Sequence, residues 1–131
     1  MKYILMMHGS KAAWDEYAKW SKDDLMRNVA FMRGFSKELK DSGVFVATEG
    51  LAWPSEAKIV RAGKDGKPIT DGVFPESKEF LAGYWIIDVE SAEQAYKIAA
   101  RASAAPGAAG VQGSMPIEVR PVMSGAPPEM Q

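Results

Sequence analysis

Ten residues, Phe80 to Val89 in the run FLAGYWIIDV, constrain the fold more than any other part of the chain. Side chains alternate across a strand with period two. Phe80, Ala82, Tyr84 and Ile86 therefore share one face, and Leu81, Trp85, Ile87 and Val89 share the other. Both sets are apolar, so neither face suits water. An antiparallel sheet in a small domain ordinarily leaves one face wet. This strand needs helices on one side and a second covering on the other. In a chain of 131 residues a second copy is the natural covering.

That length is the size of one domain. The charged fraction of 25% and the net charge of -1 leave no electrostatic footprint for nucleic acid or an anionic membrane. The chain has no Cys, which removes disulfides, thiolate nucleophiles and Cys-based metal or redox sites. MKYILMM lacks the basic region, long apolar core and cleavage site of a signal peptide. No apolar run approaches the ~20 residues of a membrane span. The expected setting is cytoplasmic, with no nucleic-acid or membrane partner.

Short-range signals divide the chain. Tyr3 to Met7 reads as a first strand closed at His8-Gly9. Trp14, Tyr17 and Trp20 fall three apart, which suits a short helix or a loop packing its rings on the core. A flap of aromatics over a pocket, with Trp14 touching ligand, is the alternative. Ser21 and Asp24 form a capping-box pattern. Leu25, Val29, Met32, Ser36 and Leu39 follow at helical spacing, widened by Met26 and Phe35, and Gly43 closes the helix. Gly34 inside that helix fits a close helix–sheet contact.

Val44 to Ala47 reads as strand two and Ala57 to Arg61 as strand three. Asp65-Gly66 turns the chain back through Lys67 to Thr70, with Pro68 marking an edge. After the doubly apolar strand, Ser91 and Gln94 repeat the capping pattern before a small-residue helix face of Ala92, Ala95, Tyr96 and Ala99. Arg101 to Ser114 reads as a mobile Ala/Gly/Ser loop and Ile117 to Val122 as the last strand. One domain over 1–123 and a flexible tail over 124–131 follow. The order strand, helix, strand, hairpin, strand, helix, strand matches an α+β, ferredoxin-like antiparallel sheet with two helices on one face. Covering the other face with a second copy gives a homodimeric α/β barrel.

Few side chains offer chemistry. His8 is the only His and stands at a strand end. Its ordinary pKa of about 6.5 makes it the natural general acid or base; its structural alternative is a strand cap bonded to backbone. Asp71 before Gly72 suits a tight turn, and equally a carboxylate that orients His8. Glu76, Lys78 and Glu79 read as a solvated charged loop. The alternative turns Lys78, with Glu76 beside it, into a cleft to hold a carboxylate or phosphate. Glu118 and Arg120 share a face of the last strand, where Arg120 pairs with a carboxylate or grips an anionic ligand. One His is thin support for a metal site, and no nucleotide-binding or nucleophile-elbow motif is present. No metal or cofactor is expected.

Four stretches carry a resemblance: MKYILMMHG, TEGLAWP, ITDGVFPESKEFLAGYWIIDV and MPIEVRPV. From Met1 to about Val122 the chain resembles the DGPF branch of the YCII-related proteins. Asp71-Gly72, Phe74, Glu76, Lys78, Glu79, Gly83 and Tyr84 fall at that family's spacing. Val73 stands where the family usually has Pro, and Pro75 replaces a small residue. The resemblance implies a ferredoxin-like fold, a dimeric α+β barrel and a His–Asp site of the kind suggested for YCII proteins. It also implies association with sigma factors of the extracytoplasmic type. Two functions follow as expectations. One is a small enzyme using His8 and Asp71 on a small polar molecule. The other is a non-catalytic dimeric module that binds a small ligand or docks on a regulatory protein.

Overall fold

A computed structural model describes residues 1–72 and 79–125. The main sheet is antiparallel and has four strands. They are β1 (Lys2–Ser10), β2 (Phe45–Gly50), β5 (Glu79–Asp88) and β6 (Ile117–Pro121), in the spatial order β2-β5-β1-β6. This is the ferredoxin-like order expected for the chain. The hairpin β3 (Lys58–Ala62) and β4 (Pro68–Gly72) is inserted between β2 and β5 and forms a separate two-stranded sheet. Its turn follows the Asp-Gly signal: Asp65 Oδ1 accepts the Lys67 N–H at 3.0 Å, and Gly66 has φ +80°. The expected edge position of Pro68 fits, since each strand of a two-stranded sheet is an edge.

Three helices complete the fold: α1 (Lys11–Ala18), α2 (Lys22–Asp41) and α3 (Ala92–Ser103). The ambiguous aromatic stretch is thus helical over α1, one helix more than the two expected. Ser10 is both the last residue of β1 and the cap of α1, its Oγ accepting the Ala13 N–H at 3.1 Å. The capping box of α2 is complete. Asp24 N–H donates to Ser21 Oγ, and Ser21 N–H donates to Asp24 Oδ2, each at 3.1 Å. At α3 the pattern is only half kept: Gln94 N–H donates to Ser91 Oγ, but the Gln94 carbonyl accepts from Glu90.

The core lies between the sheet and α2 and α3. Tyr3 and Leu5 of β1, Trp85 and Ile87 of β5, Phe35 and Leu39 of α2, and Ala95, Ile98, Ala99 and Ala102 of α3 are buried in one cluster. Each large aliphatic group there contributes about 1.5–3 kcal/mol by leaving water. The two expected helix faces hold in the main, with single positions out of place. On α2 the expected Met32, Phe35 and Leu39 meet the core, joined by Phe31, while Val29 and Met26 are exposed. On α3 the expected Ala95 and Ala99 are buried, together with Ile98, while Tyr96 is exposed. Gly34 has nothing within 4 Å of where a Cβ would stand, so no close contact explains it.

The expected mobile loop is also corrected. Arg101 to Ser103 finish α3, and Arg101 pairs with Glu38 of α2. The remaining loop is tied down. Pro106 bridges Gln112, Ser103 Oγ donates to the Met115 carbonyl at 2.6 Å, and Asn28 donates to the Pro106 carbonyl at 3.0 Å. Asp24 Oδ1 accepts the Ala109 N–H at 2.9 Å and lies 3.3 Å from Arg27. The Ser21 amide, and then the Ala109 amide and Arg27, hold the Asp24 carboxyl below the usual aspartate range against the opposing effect of desolvation.

The opposite face of the sheet carries Ile4, Met6, Tyr84 and Ile86, all partly exposed. Cross-strand register groups them: Ile4 faces Ile86, and Met6 faces Tyr84. Both α2 and α3 lie on the other side. From Tyr84 to Ile87 both faces of β5 are thus apolar, one set buried and the other partly open; the register shift at Ala82 exchanges the expected faces of Phe80 and Leu81.

Candidate functional site

His8 owes its setting to a bulge. Met7 pairs with Gly83 but His8 pairs with Leu81, so Ala82 of β5 has no partner on β1. Bulges re-aim side chains near sheet ends. On the other side of β5, the Ala82 carbonyl accepts the Leu51 N–H at 2.8 Å and anchors the chain leaving β2. Beside β1, β6 pairs with Met6 opposite Glu118 and Ile4 opposite Arg120. Met6 and His8 share a face of β1, so Glu118 is the diagonal neighbour of His8.

The resulting geometry is a line of three polar groups. His8 Nε2 lies 3.6 Å from Glu118 Oε1, and Arg120 Nε lies 3.8 Å from Glu118 Oε2. The one carboxylate thus faces an imidazole through one oxygen and a guanidinium through the other. The His8 side chain is 25% exposed and that of Glu118 48%. Yet Nε2 itself is out of contact with water and has no hydrogen-bond partner. Buried ring nitrogens ordinarily have one.

Trp14 is held by the direct passage from β1 into α1. It lies over Gly9, where a Cβ would come 2.9 Å from Trp14 Nε1. Gly9 and His8 are successive strand residues, so Trp14 covers the face of β1 opposite His8. Its ring meets Trp53 at 5.3 Å and Tyr17 at 6.0 Å, and Tyr17 meets Trp20 at 4.9 Å. The Trp14 indole N–H is also buried without a partner.

Asp71 lies elsewhere. It stands opposite Ile59 in the separate hairpin and pairs with Arg61 Nη2 at 3.3 Å. Within the described residues no contact joins it to His8; the carboxylate beside His8 is that of Glu118. Lys78 and Glu76 lie outside the described residues. Glu118 was not singled out as a partner of His8 by its place in the chain. The signal was the β6–β1 register, which sets the last strand beside the first. The expected pairing of Arg120 with a carboxylate is found.

Two cavities are described, and His8 lines neither. One of about 280 Å³ lies between α3 and β6, against Tyr96, Ala99 and Ile117. One of about 500 Å³ lies near Gly43, Asp88 and Gln94. Among the described residues no three His, Asp or Glu side chains group closely enough to hold a metal ion. Among them, too, no helix is long and apolar enough to cross a membrane.

No curated protein matches the chain. The family model of the YCII-related domain matches residues 1–119, nine-tenths of the 131-residue chain and all of the sheet but its last two residues. With this sheet, this order of strands and that match, the chain belongs to the YCII-related domain family.

Proposed function

We propose that this protein is a small acid–base enzyme of the DGPF branch, in which His8 moves a proton to or from a small polar molecule. The observation that carries the reading is the state of His8. The single imidazole stands at a bulged strand end with a water-excluded, unpartnered nitrogen beside a carboxylate. An unsatisfied buried polar atom costs free energy, and a catalytic role is one reason for a protein to keep one. Positioned acids and bases near neutrality contribute roughly 10²–10⁴-fold to rates.

The same reading takes the enzyme as a homodimer. Ile4, Met6, Tyr84 and Ile86 leave an apolar face that no described helix covers. Two such faces packed together suit an isologous dimer.

Turnover of a panel of small hydroxylated and carboxylated compounds, by wild type and His8→Gln, tests the proposal. A loss of 100-fold or more in a folded His8→Gln protein is expected on the range above. Unchanged turnover in His8→Gln overturns the proposal.

One observation favours a regulatory module instead. Val60 and Ile69, on opposite faces of the hairpin, are 58% and 46% exposed. A two-stranded hairpin is marginal alone, and such side chains suit docking on a protein such as a sigma factor. Retention of a protein partner by a folded Val60→Ser protein would count against that second reading.

A further inference from the structure

We infer that Glu118, rather than Asp71, sets the chemical form of His8, by holding the neutral ring with its proton on Nε2 and leaving Nδ1 as the basic atom. The inference rests on the acid–base reading of His8 and names the atom that does the work. A neutral imidazole carries one N–H and one lone pair, and the environment of each nitrogen decides which is which. Nε2 is shielded from water and lies 3.6 Å from Glu118 Oε1. A lone pair on Nε2 would face the lone pairs of the carboxylate across 3.6 Å, with Nε2 itself closed to water. A proton on Nε2 turns that repulsion into attraction, which is the role carboxylates play beside histidines in acid–base pairs.

The carboxylate has a second neighbour. Its other oxygen faces Arg120 Nε at 3.8 Å, and β6 is locked to β1 by pairing from Tyr3 to Met7. An exposed ion pair at that distance orients Glu118 only weakly; the register of β6 on β1 is what places Glu118 beside the ring. Asp71 has no such relation to the ring. Its carboxylate is occupied by Arg61 on another sheet. In this arrangement Glu118 is a positioning residue: it touches His8 and acts through it. The proton then enters or leaves the reacting molecule at Nδ1, and Nε2 keeps its own.

The test is the ring-nitrogen spectrum of the protein labelled with ¹⁵N-histidine, whose one His makes assignment direct. It is recorded above the pH where the ring charges, for wild type, Glu118→Ala, Glu118→Gln and Asp71→Asn. Wild type is expected to show the Nε2–H form alone. Glu118→Ala should move both nitrogens toward the averaged shifts of a tautomer mixture, and Asp71→Asn should leave the wild-type pattern. Glu118→Gln keeps the shape of the side chain and guards against loss of folding; it should move the nitrogens in the same direction but less. A wild-type spectrum of the Nδ1–H form overturns the inference. So does a pattern that ignores both Glu118 variants, or one that follows Asp71→Asn. These readouts need no substrate, so they stand apart from the His8→Gln turnover test. Loss of turnover in His8→Gln with no tautomer change in Glu118→Ala would sink this inference and keep the acid–base reading.

Discussion

Trp14 occupies the space that a side chain at Gly9 would need: a Cβ there would stand 2.9 Å from the indole Nε1 and 3.1 Å from Cδ1. The indole cannot retreat freely, because Trp53 and Tyr17 pack against it at 5.3 and 6.0 Å. Gly9→Ala should therefore behave as an overpacked core substitution and cost about 1–3 kcal/mol. Thermal unfolding should show a midpoint lower by several degrees. An unchanged midpoint would mean that the aromatic cluster is loose.

Gly83 has a stricter neighbour. A Cβ there would lie 2.9 Å from the backbone carbonyl oxygen of Glu49 on β2. Backbone cannot rotate aside, so Gly83→Ala must push β2 away from β5. The expected loss is about 2 kcal/mol or more, at the upper end of overpacking costs. Hydrogen exchange should locate it, with amides of β2 losing protection before those of β1. Equal loss in both strands would contradict the local clash.

Asp24 predicts a pH dependence. Amide donors from Ser21 and Ala109, with Arg27 nearby, favour its charged form in the folded protein. The folded group thus titrates below the unfolded one, whose ordinary value is 3.8. Its stabilising effect is fully present above that value and is lost as pH falls through the lower, folded one. Asp24→Asn should lower stability at neutral pH and flatten the acid limb of the stability curve. It should also release the Ala109 amide to exchange. An acid limb with the wild-type slope would refute this assignment.

The open sheet face predicts association. Light scattering should give a particle of twice the 14.3 kDa chain mass at micromolar concentration. Ile86 faces Ile4 at the middle of that face, so Ile86→Lys should yield a folded monomer. A wild-type monomer would remove the dimer from the account.

How much of this was legible in the chain follows the range of each interaction. The Ser21–Asp24 box and the Asp65-Gly66 turn are formed within a few residues, and both appear as read. Strand β5 was legible because its period-two pattern needs no partner to be seen. Helix α1 was not, since eight residues with three spaced aromatics suit a loop equally well. The helix faces were legible at Met32, Phe35, Leu39, Ala95 and Ala99, and slipped only at Val29, Met26 and Tyr96, which stand exposed. The detachment of the hairpin and the neighbour of His8 depend on pairing across tens of residues. His8 and Glu118 are 110 positions apart, and only the β1–β6 register joins them. A search near Asp-Gly turns for the partner of a lone histidine favours Asp71, because local turn chemistry is conspicuous and cross-strand register is silent in the sequence.

The most direct test of the central claim is a binding map. Backbone amides and the His8 ring would be followed by NMR while small polar compounds are added to wild type and to His8→Gln. The account predicts that a binder shifts the His8 ring together with the amides of Glu118 and Arg120, and that these shifts vanish in His8→Gln. Binders that leave the His8 ring unmoved and bind His8→Gln equally well would contradict it.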